Sequence, residues 1–328
     1  MTPEAEEWRW YLQGADLVLE RVAELEARLV QDPEDFESRS KVLGALLMPQ
    51  LEKPELRARF DPHAEWLIRR RPDSILARTI PLTAYAWSEE DRRRRHGAIW
   101  QEIVDARGDE SAVLGNAAQF FTFQEPARAK QLLLRARKLD PKDGRWPAEL
   151  GKIALRAAER AEEADATRSF SEALEYLEES LAKVGDHEER SDWLGRTAEA
   201  ALGLGDHAKA TTYARQLLLH AQGSGDSGDR GNAVHDGNRV LGFVALRDGR
   251  IEEACERLIE SGKTPGSPQL DSFGPQFDLA SELLERGQRA AVLEYLELCS
   301  RFWRNASVKV WIEEMHQGLS PQLRRFGI

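Results

Sequence analysis

Apolar residues recur at intervals of three or four positions along most of the chain and rarely alternate with polar ones. This spacing places them on one face of a helix, whereas a half-buried strand would need a period of two. Leucine, alanine, arginine and glutamate are abundant, and all four favour helices. Two of the apolar series are Trp10, Leu17, Leu19, Val22, Leu25 and Leu29, and Leu174, Leu177 and Leu181. The pattern predicts an all-α protein.

Prolines indicate where several of the predicted helices begin. The first turn of a helix has no partner for its N–H groups, so a proline there loses no hydrogen bond. An aspartate before the proline can accept hydrogen bonds from the N–H groups that follow. The pairs in question are Asp32-Pro33, Asp61-Pro62, Glu125-Pro126 and Gly274-Pro275. We expect a helix to start at each of them.

Small residues recur at matching places in successive pairs of predicted helices. One copy comprises Val113, Asn116, Ala117, Phe120, Ala129, Leu133, Ala136 and Pro141. A second copy comprises Asn238, Leu241, Gly242, Ala245, Gly249, Ala254, Leu258 and Ser261. Further copies lie over 194–217 and 279–299. Because two helices cross closely only where small side chains face each other, the copies predict repeated antiparallel helix pairs.

The spacing in these copies, W-x2-L-G-x2-Y, A-x3-F, A, P, resembles that of the tetratricopeptide repeat (TPR) family, most clearly over residues 110–303. The resemblance implies an all-α, right-handed superhelical α-solenoid of about seven helical hairpins, with a C-terminal capping helix. Gly205, Gly249 and Gly287 then stand where first helices end. We expect each of these glycines to adopt the left-handed conformation of a helix C-cap.

The expected organisation is one continuous solenoid with three parts. Residues 1–109 form irregular helical repeats, inferred from periodicity alone. Residues 110–303 form the TPR-like repeats, with an extended pair at 147–184 and a flexible loop at 222–231. Residues 304–328 form the capping helix and a tail.

Composition and charge narrow the range of partners. The 328 residues are 41% hydrophobic and 31% charged, and no stretch approaches the ~18 apolar residues of a membrane helix. A net charge of −11 repels phosphate backbones, so nucleic acid is not expected as a partner. The chain has only two cysteines, Cys255 and Cys299, and its N-terminus carries acids where an export signal carries lysine or arginine. We therefore expect a cytoplasmic protein.

Motifs that would indicate catalysis are incomplete. Gly225-Asp226-Ser227-Gly228 matches the tetrapeptide around a protease serine, but the helical pattern offers neither the scaffold nor the partner histidine. In His187-Glu188-Glu189-Arg190-Ser191, a serine stands where the zinc-protease motif needs its second histidine. We expect no catalytic residues, no metal and no cofactor.

In the TPR family the first helix of each pair lines a concave groove that holds a peptide or a partner helix. Arginine in such a groove can hold a carboxylate through two hydrogen bonds, which predicts an acidic or C-terminal peptide as the ligand. In the alternative interpretation, the arginines pair with neighbouring glutamates. By the resemblance, the groove residues are Arg145, Lys152, Arg156, His235, Asp236, Asn238, Arg239, Phe243 and Arg247, with Phe121 and Phe277 from flanking repeats.

The resulting hypothesis is a non-catalytic scaffold or adaptor that binds a peptide or a partner segment of another protein. One alternative is a regulator that controls a transcription factor, protease or kinase through a ligand-dependent change of curvature. Another is an enzyme built on an α/α helical array. Binding could also use an outer acidic face, since residues 156–192 contain twelve acids and five bases. Self-association could use Trp8 and Trp10 of the N-terminal helix.

Overall fold

The computed structural model describes residues 2–79, 90–183, 189–223 and 230–323. Helices joined by turns make up these ranges, and no strand occurs in them. The all-α prediction is therefore confirmed for the described chain. None of its helices combines the length and the apolarity needed to cross a membrane. The chain falls into two compact units, Met1–Ile153 and Ala154–Ile328.

In the first unit, most helices pack on the next helix along the chain. The contacts join α2 to α3, α3 to α5, α5 to α6, α6 to α7 and α7 to α8, whereas α1 packs on α3. Within this unit Trp10 meets Phe36 edge-on at 6.1 Å, and Trp8 stacks on Tyr11 at 5.1 Å. The helices are α1 (Pro3–Ala15), α2 (Leu19–Gln31), α3 (Phe36–Leu47), α4 (Pro49–Glu52), α5 (Pro54–Arg70), α6 (Glu90–Arg107), α7 (Ser111–Phe121) and α8 (Pro126–Leu139). The next helix, α9 (Arg145–Arg160), contains the boundary between the units.

In the second unit, helices contact the next helix along the chain and, in several cases, a helix two or three further on. Successive contacts join α10 to α11, α11 to α12, α12 to α13 and α13 to α14, while α11 also packs on α13, α13 on α16 and α14 on α17. The helices are α10 (Glu163–Lys183), α11 (Glu189–Gly203), α12 (His207–Gly223), α13 (Arg230–Arg247), α14 (Ile251–Gly262), α15 (Pro268–Phe273), α16 (Asp278–Glu285), α17 (Arg289–Cys299) and α18 (Ala306–His316). The last helix, α18, packs on α17 at the end of this series.

Four described helices of the second unit end in the same way: the three before the predicted glycines, and α18, which is followed by Gly318 with a φ of 84°. Gly205, Gly249 and Gly287 have φ angles of 79°, 77° and 82°, as predicted for left-handed C-caps. After the second of them, the Arg250 N–H donates to the Ala245 carbonyl at 2.9 Å, and the equivalent bond follows each of the others. This bond satisfies a carbonyl of the last helical turn and reverses the chain into the second helix of the pair.

Replacing Gly249 by alanine is expected to lower the free energy of unfolding by about 1 kcal/mol, because a Cβ atom is strained in the left-handed region. Nothing lies within 4 Å of the position that this Cβ atom would occupy, so no clash adds to the cost. Gly223→Ala is the control, since Gly223 also borders open space but lacks a positive φ. Urea denaturation followed by circular dichroism measures both variants, and equal stability of Gly249→Ala and the original chain would contradict the C-cap assignment.

The prolines mark helix starts less consistently than predicted. Pro126 is the first residue of α8, as expected. In contrast, Pro62 lies inside α5, which continues because its buried face extends on both sides of the proline. Pro33 lies in the turn before α3, which is capped instead by the Asp35 side chain. Likewise, Pro275 precedes the start of α16 at Asp278. Proline is compatible with a first turn, but it does not specify one.

The extended pair predicted at 147–184 corresponds to α9 and α10, which are 16 and 21 residues long. Residues 184–188 lie outside the described chain, and so do residues 224–229 of the predicted flexible loop. The tetrapeptide Gly225-Asp226-Ser227-Gly228 and His187 of the second motif are therefore not described.

Candidate functional site

The candidate site is a groove in the second unit that begins between α11 and α13. On α11, Asp192, Gly195 and Glu199 are spaced by three and four residues, so they share one side of the helix. On α13, Asp236 and Arg239 share a side in the same way. All five residues line a cavity of about 470 Å³. Small and polar positions at helical spacing thus leave open space between two packed helices.

A second cavity of about 490 Å³ adjoins the first, and both are lined by Glu159, Glu199 and Arg239. The lining of the second cavity is more apolar and includes Phe170 and Phe243. We call the two cavities together the α11–α13 groove. It therefore joins a polar half to an apolar half along adjacent helices.

The segment between α14 and α16 fixes the first turn of α13 and supplies one wall of the polar cavity. A Cβ atom on Gly231 would lie 1.9 Å from the Gly266 carbonyl oxygen, so only glycine permits this approach. The Thr264 hydroxyl donates to the Gly231 carbonyl at 2.8 Å. The Ser267 hydroxyl donates to the Asn232 side-chain oxygen at 2.7 Å. This part of the groove is thereby held by hydrogen bonds between distant parts of the sequence.

Arg239 lies at the junction of the two cavities and is only 8% exposed. Its Nε donates to Asp278 Oδ1 at 2.8 Å, its Nη2 donates to the other oxygen of Asp278, and Nη2 lies 3.5 Å from Glu199. Burial alone would raise the pKa of Asp278, but the hydrogen bond and charge of Arg239 outweigh it and hold that pKa below its usual value. The guanidinium thus binds carboxylates of the protein itself.

The same surroundings shift the pKa of Glu199 in the opposite direction to that of Asp278. Burial is the largest influence and raises the pKa of Glu199, and the charge of Arg239 partly offsets it. The carboxylates of Asp236 and Glu159 then raise this pKa again by repulsion. Asp236 and Glu159 therefore lie close enough to Glu199 in the polar cavity to affect its pKa.

The remaining arginines of the groove are also paired. Arg247 Nη2 donates to Glu282 Oε2 at 2.9 Å, and Nη1 donates to the other oxygen of the same carboxylate. The hydrogen bonds that Arg247 donates to Glu282 raise the pKa of Arg247. On α11, the Arg196 Nε donates to Asp192 Oδ1 at 2.9 Å. The alternative interpretation of these arginines, in which they pair with neighbouring acids, describes their contacts.

The groove is acidic, and the expectation of a basic groove is wrong. Its lining includes two histidines, and it carries five carboxylates against three arginines. The arginines bind carboxylates of their own or adjacent helices, so their donors do not form an open site for an acidic ligand. The five carboxylates belong to Glu159, Asp192, Glu199, Asp236 and Asp278.

His235 and Asn238 are buried, although His235 also lines the polar cavity. His235 is 1% exposed, its Nδ1 lies 2.9 Å from Asp236 Oδ1, and its Nε2 lies 3.3 Å from the Tyr295 hydroxyl. Asn238 is 7% exposed and accepts a hydrogen bond from Arg257 at 3.2 Å. Among the described residues, no three His, Cys, Asp or Glu side chains are arranged to hold a metal ion.

Phe121 and Phe277 belong to the cores of the two units, and their placement in the groove is wrong. Phe121 is 1% exposed, and the Arg128 guanidinium covers its ring at 3.6 Å. Phe277 is 3% exposed and meets the ring of Trp311 edge-on at 5.1 Å. Both rings bury apolar area, and Phe121 also lines a cavity of about 510 Å³ in the first unit.

The basic residues predicted on α9 do not gather at the groove. Arg145 and Lys152 belong to the first unit, where Arg145 pairs with Asp143 at 2.7 Å and Lys152 pairs with Glu149 at 3.0 Å. Arg156 belongs to the second unit but lines neither described cavity. The residue of α9 that does line both cavities is Glu159.

Sequence reasoning named Asp236 but missed the other four acidic residues that give the groove its charge. Asp192, Arg196 and Glu199 form a polar row at intervals of four and three residues on a helix otherwise rich in alanine and leucine. That row was the available signal, since polar residues at helical spacing mark an exposed side. Against known protein families and curated protein sequences, the chain gives no match.

Proposed function

We propose that the second unit is a right-handed, TPR-like α-solenoid segment that acts as a non-catalytic interaction scaffold. Its ligand would be an extended segment of a partner protein lying in the α11–α13 groove. The main support for this proposal is the set of helices that supply the residues lining the groove. The first helices of three successive pairs, α11, α13 and α16, all contribute residues to it, and α11 packs on α13 as α13 packs on α16.

Two further features support a solenoid segment. The first helices of the three pairs end with the same glycine conformation, at Gly205, Gly249 and Gly287. The contacts of α11 with α13, α13 with α16 and α14 with α17 are those expected when helix pairs stack in a row and complete each other's core. Side chains on the inner faces of the first helices then form a surface that core packing does not use.

The lining of the groove suits a peptide backbone. Asn232, Gln269 and Gln276 place amide groups around the polar cavity, and an amide can both donate and accept hydrogen bonds. The apolar cavity next to it, with Phe170 and Phe243, can take a hydrophobic side chain. An extended segment that crosses from one cavity to the other would use both.

Gly195 offers a direct test of this proposal. It lines the polar cavity, and a Cβ atom added there would approach only Leu217, at an ordinary 3.5 Å. We expect Gly195→Phe to fill the cavity and weaken peptide binding at least about tenfold, equivalent to about 1.4 kcal/mol. Gly195→Ala is the matched control and should bind as the original chain does.

The measurement starts from random peptides of roughly ten residues, which reach at most about 33–36 Å when extended. They are selected against the immobilised full chain, and the affinities of selected peptides are then measured in solution for both variants. Failure to enrich any peptide, or equal affinity for the original chain and Gly195→Phe, would overturn the proposed function.

A further inference from the structure

The charge of the α11–α13 groove points to the chemistry of its ligand. Arg239, Arg247 and Arg196 are each hydrogen-bonded to carboxylates, so their positive charges are already matched. Asp236 and Glu159 differ from those carboxylates. Within the described ranges, neither of the two is paired with a lysine or arginine. Negative charge therefore remains in the cavity after the internal ion pairs are formed.

The position of this charge matters as much as its sign. Carboxylates on an open convex surface are solvated on all sides and interact weakly with a passing cation. Here Glu159, Glu199 and Asp236 line one concave cavity, whose walls exclude part of the solvent and concentrate the field. Burial and mutual repulsion raise the pKa of Glu199, which is the effect that a bound cation would relieve.

We propose that the α11–α13 groove recognises a basic segment of a partner protein. A lysine or arginine side chain of that segment enters the polar cavity among Glu159, Glu199 and Asp236. A neighbouring apolar side chain occupies the second cavity beside Phe243. This inference rests on the proposed function, since it assigns the type of peptide that the groove holds.

An acidic peptide fits the same groove poorly. The Arg239 side chain is 10% exposed, and its Nε and Nη2 both donate to Asp278. A ligand carboxylate that bonded to these nitrogens would have to displace Asp278, and it would also face the carboxylates of Asp236 and Glu159. The repulsion favours the basic ligand even before its own contacts are counted.

The test compares three pools of fluorescent peptides, each of roughly ten residues with otherwise random sequence. The central residue is lysine or arginine in one pool, aspartate or glutamate in the second, and serine or glutamine in the third. We expect the basic pool to bind the full chain at least about tenfold more tightly than the others, with affinity falling as sodium chloride is added. Fluorescence anisotropy measures the three affinities.

The double variant Glu159→Gln/Asp236→Asn should abolish the preference for the basic pool. These two residues are chosen because neither supports Arg239 through a direct hydrogen bond, whereas Glu199 lies within reach of that guanidinium. Glu252→Gln/Glu256→Gln is the matched control, since it removes the same charge from α14, outside both cavities. The control should keep the preference, which excludes a general attraction to the acidic protein.

The outcomes separate this inference from the proposed function. If acidic or neutral peptides bind as tightly as basic ones, and Gly195→Phe weakens them all, the groove binds peptides but the basic ligand is wrong. If the preference for basic peptides survives Glu159→Gln/Asp236→Asn, the cation binds elsewhere and the inference is also wrong. If no pool binds and selection yields no peptide, the proposed function itself fails.

Discussion

Replacing Arg239 by methionine is expected to lower the free energy of unfolding by about 2–3 kcal/mol, somewhat less than the 3–5 kcal/mol typical of breaking a fully buried ion pair. Methionine keeps much of the apolar stem that packs near Phe243, but it leaves Asp278 and Glu199 without their shared cation. Asp278 retains 45% exposure of its side chain, so water screens part of the lost attraction.

Urea denaturation, followed by tryptophan fluorescence and circular dichroism, measures this loss. Arg250→Met is the matched control, since Arg250 pairs with Asp248 and Glu253 in an exposed turn. The loss of stability in Arg250→Met should be much smaller, because exposed ion pairs contribute little to stability. Adding Asp278→Asn to Arg239→Met should restore part of the stability, because the uncompensated carboxylate is then removed. Equal stability of Arg239→Met and Arg250→Met would contradict the buried pair.

The buried pair of Arg239 and Asp278 limits which substitutions can test ligand binding in the groove. Reversing Arg239 to glutamate would place another acid beside Asp278 and Glu199 and would destabilise the unit. A loss of binding in that variant would not distinguish a ligand contact from local unfolding. Glu159 and Asp236 are better positions, because changing them leaves the Arg239–Asp278 hydrogen bonds in place.

Features that depend on neighbouring residues could be predicted from the sequence. The apolar periodicity predicted helices, and the glycines at 205, 249 and 287 were predicted as left-handed C-caps, because a helix end is decided within about one turn. The presence of a face of α13 carrying Asp236, Arg239 and Phe243 could also be inferred, since helical spacing places them together.

The contacts of that face could not be inferred in the same way. Arg239 pairs with Asp278 and approaches Glu199, which lie 39 and 40 residues away in the sequence. A pattern within one helix does not specify which acid of a neighbouring helix it will meet. The predicted basic character of the groove failed for this reason, because counting arginines on one helix left out the acids on the next.

The groove positions of the aromatic residues were predicted wrongly for a related reason. Phe277 stands directly before α16, where a groove position and a core position have the same local sequence signature. Its contacts with Tyr295, Trp303 and Trp311 come from α17, α18 and the turn between them, all later in the chain. Tertiary packing therefore decides the role of such a residue.

Lowering the pH from about 6.5 to about 4 is expected to remove up to about 3 kcal/mol of stability through His63 of the first unit. Burial is the main cause that lowers the pKa of His63, to about 4, and the charge of Arg39 lowers it further, while Glu26 opposes them. The Arg39 Nη1 donates to His63 Nδ1 at 3.0 Å, so the folded state needs this nitrogen unprotonated. In the unfolded chain the imidazole has its ordinary pKa near 6.5 and takes up a proton as the pH falls through that value. The contribution of His63 to stability is therefore fully present above the pKa of the unfolded chain. It is lost as the pH falls to the pKa of the folded state.

Protonation of His96 should also lower the stability as the pH falls, because burial lowers the pKa of this histidine too. Urea denaturation at a series of pH values between about 7 and 4 measures the combined slope. His63→Gln should flatten the slope in this window, since glutamine cannot take up the proton. His316→Gln is the control, because the His316 side chain is 59% exposed, and its slope should match that of the original chain. If His63→Gln kept the full slope, His96 or carboxylates would account for the acid sensitivity, and the neutral buried state of His63 would be wrong.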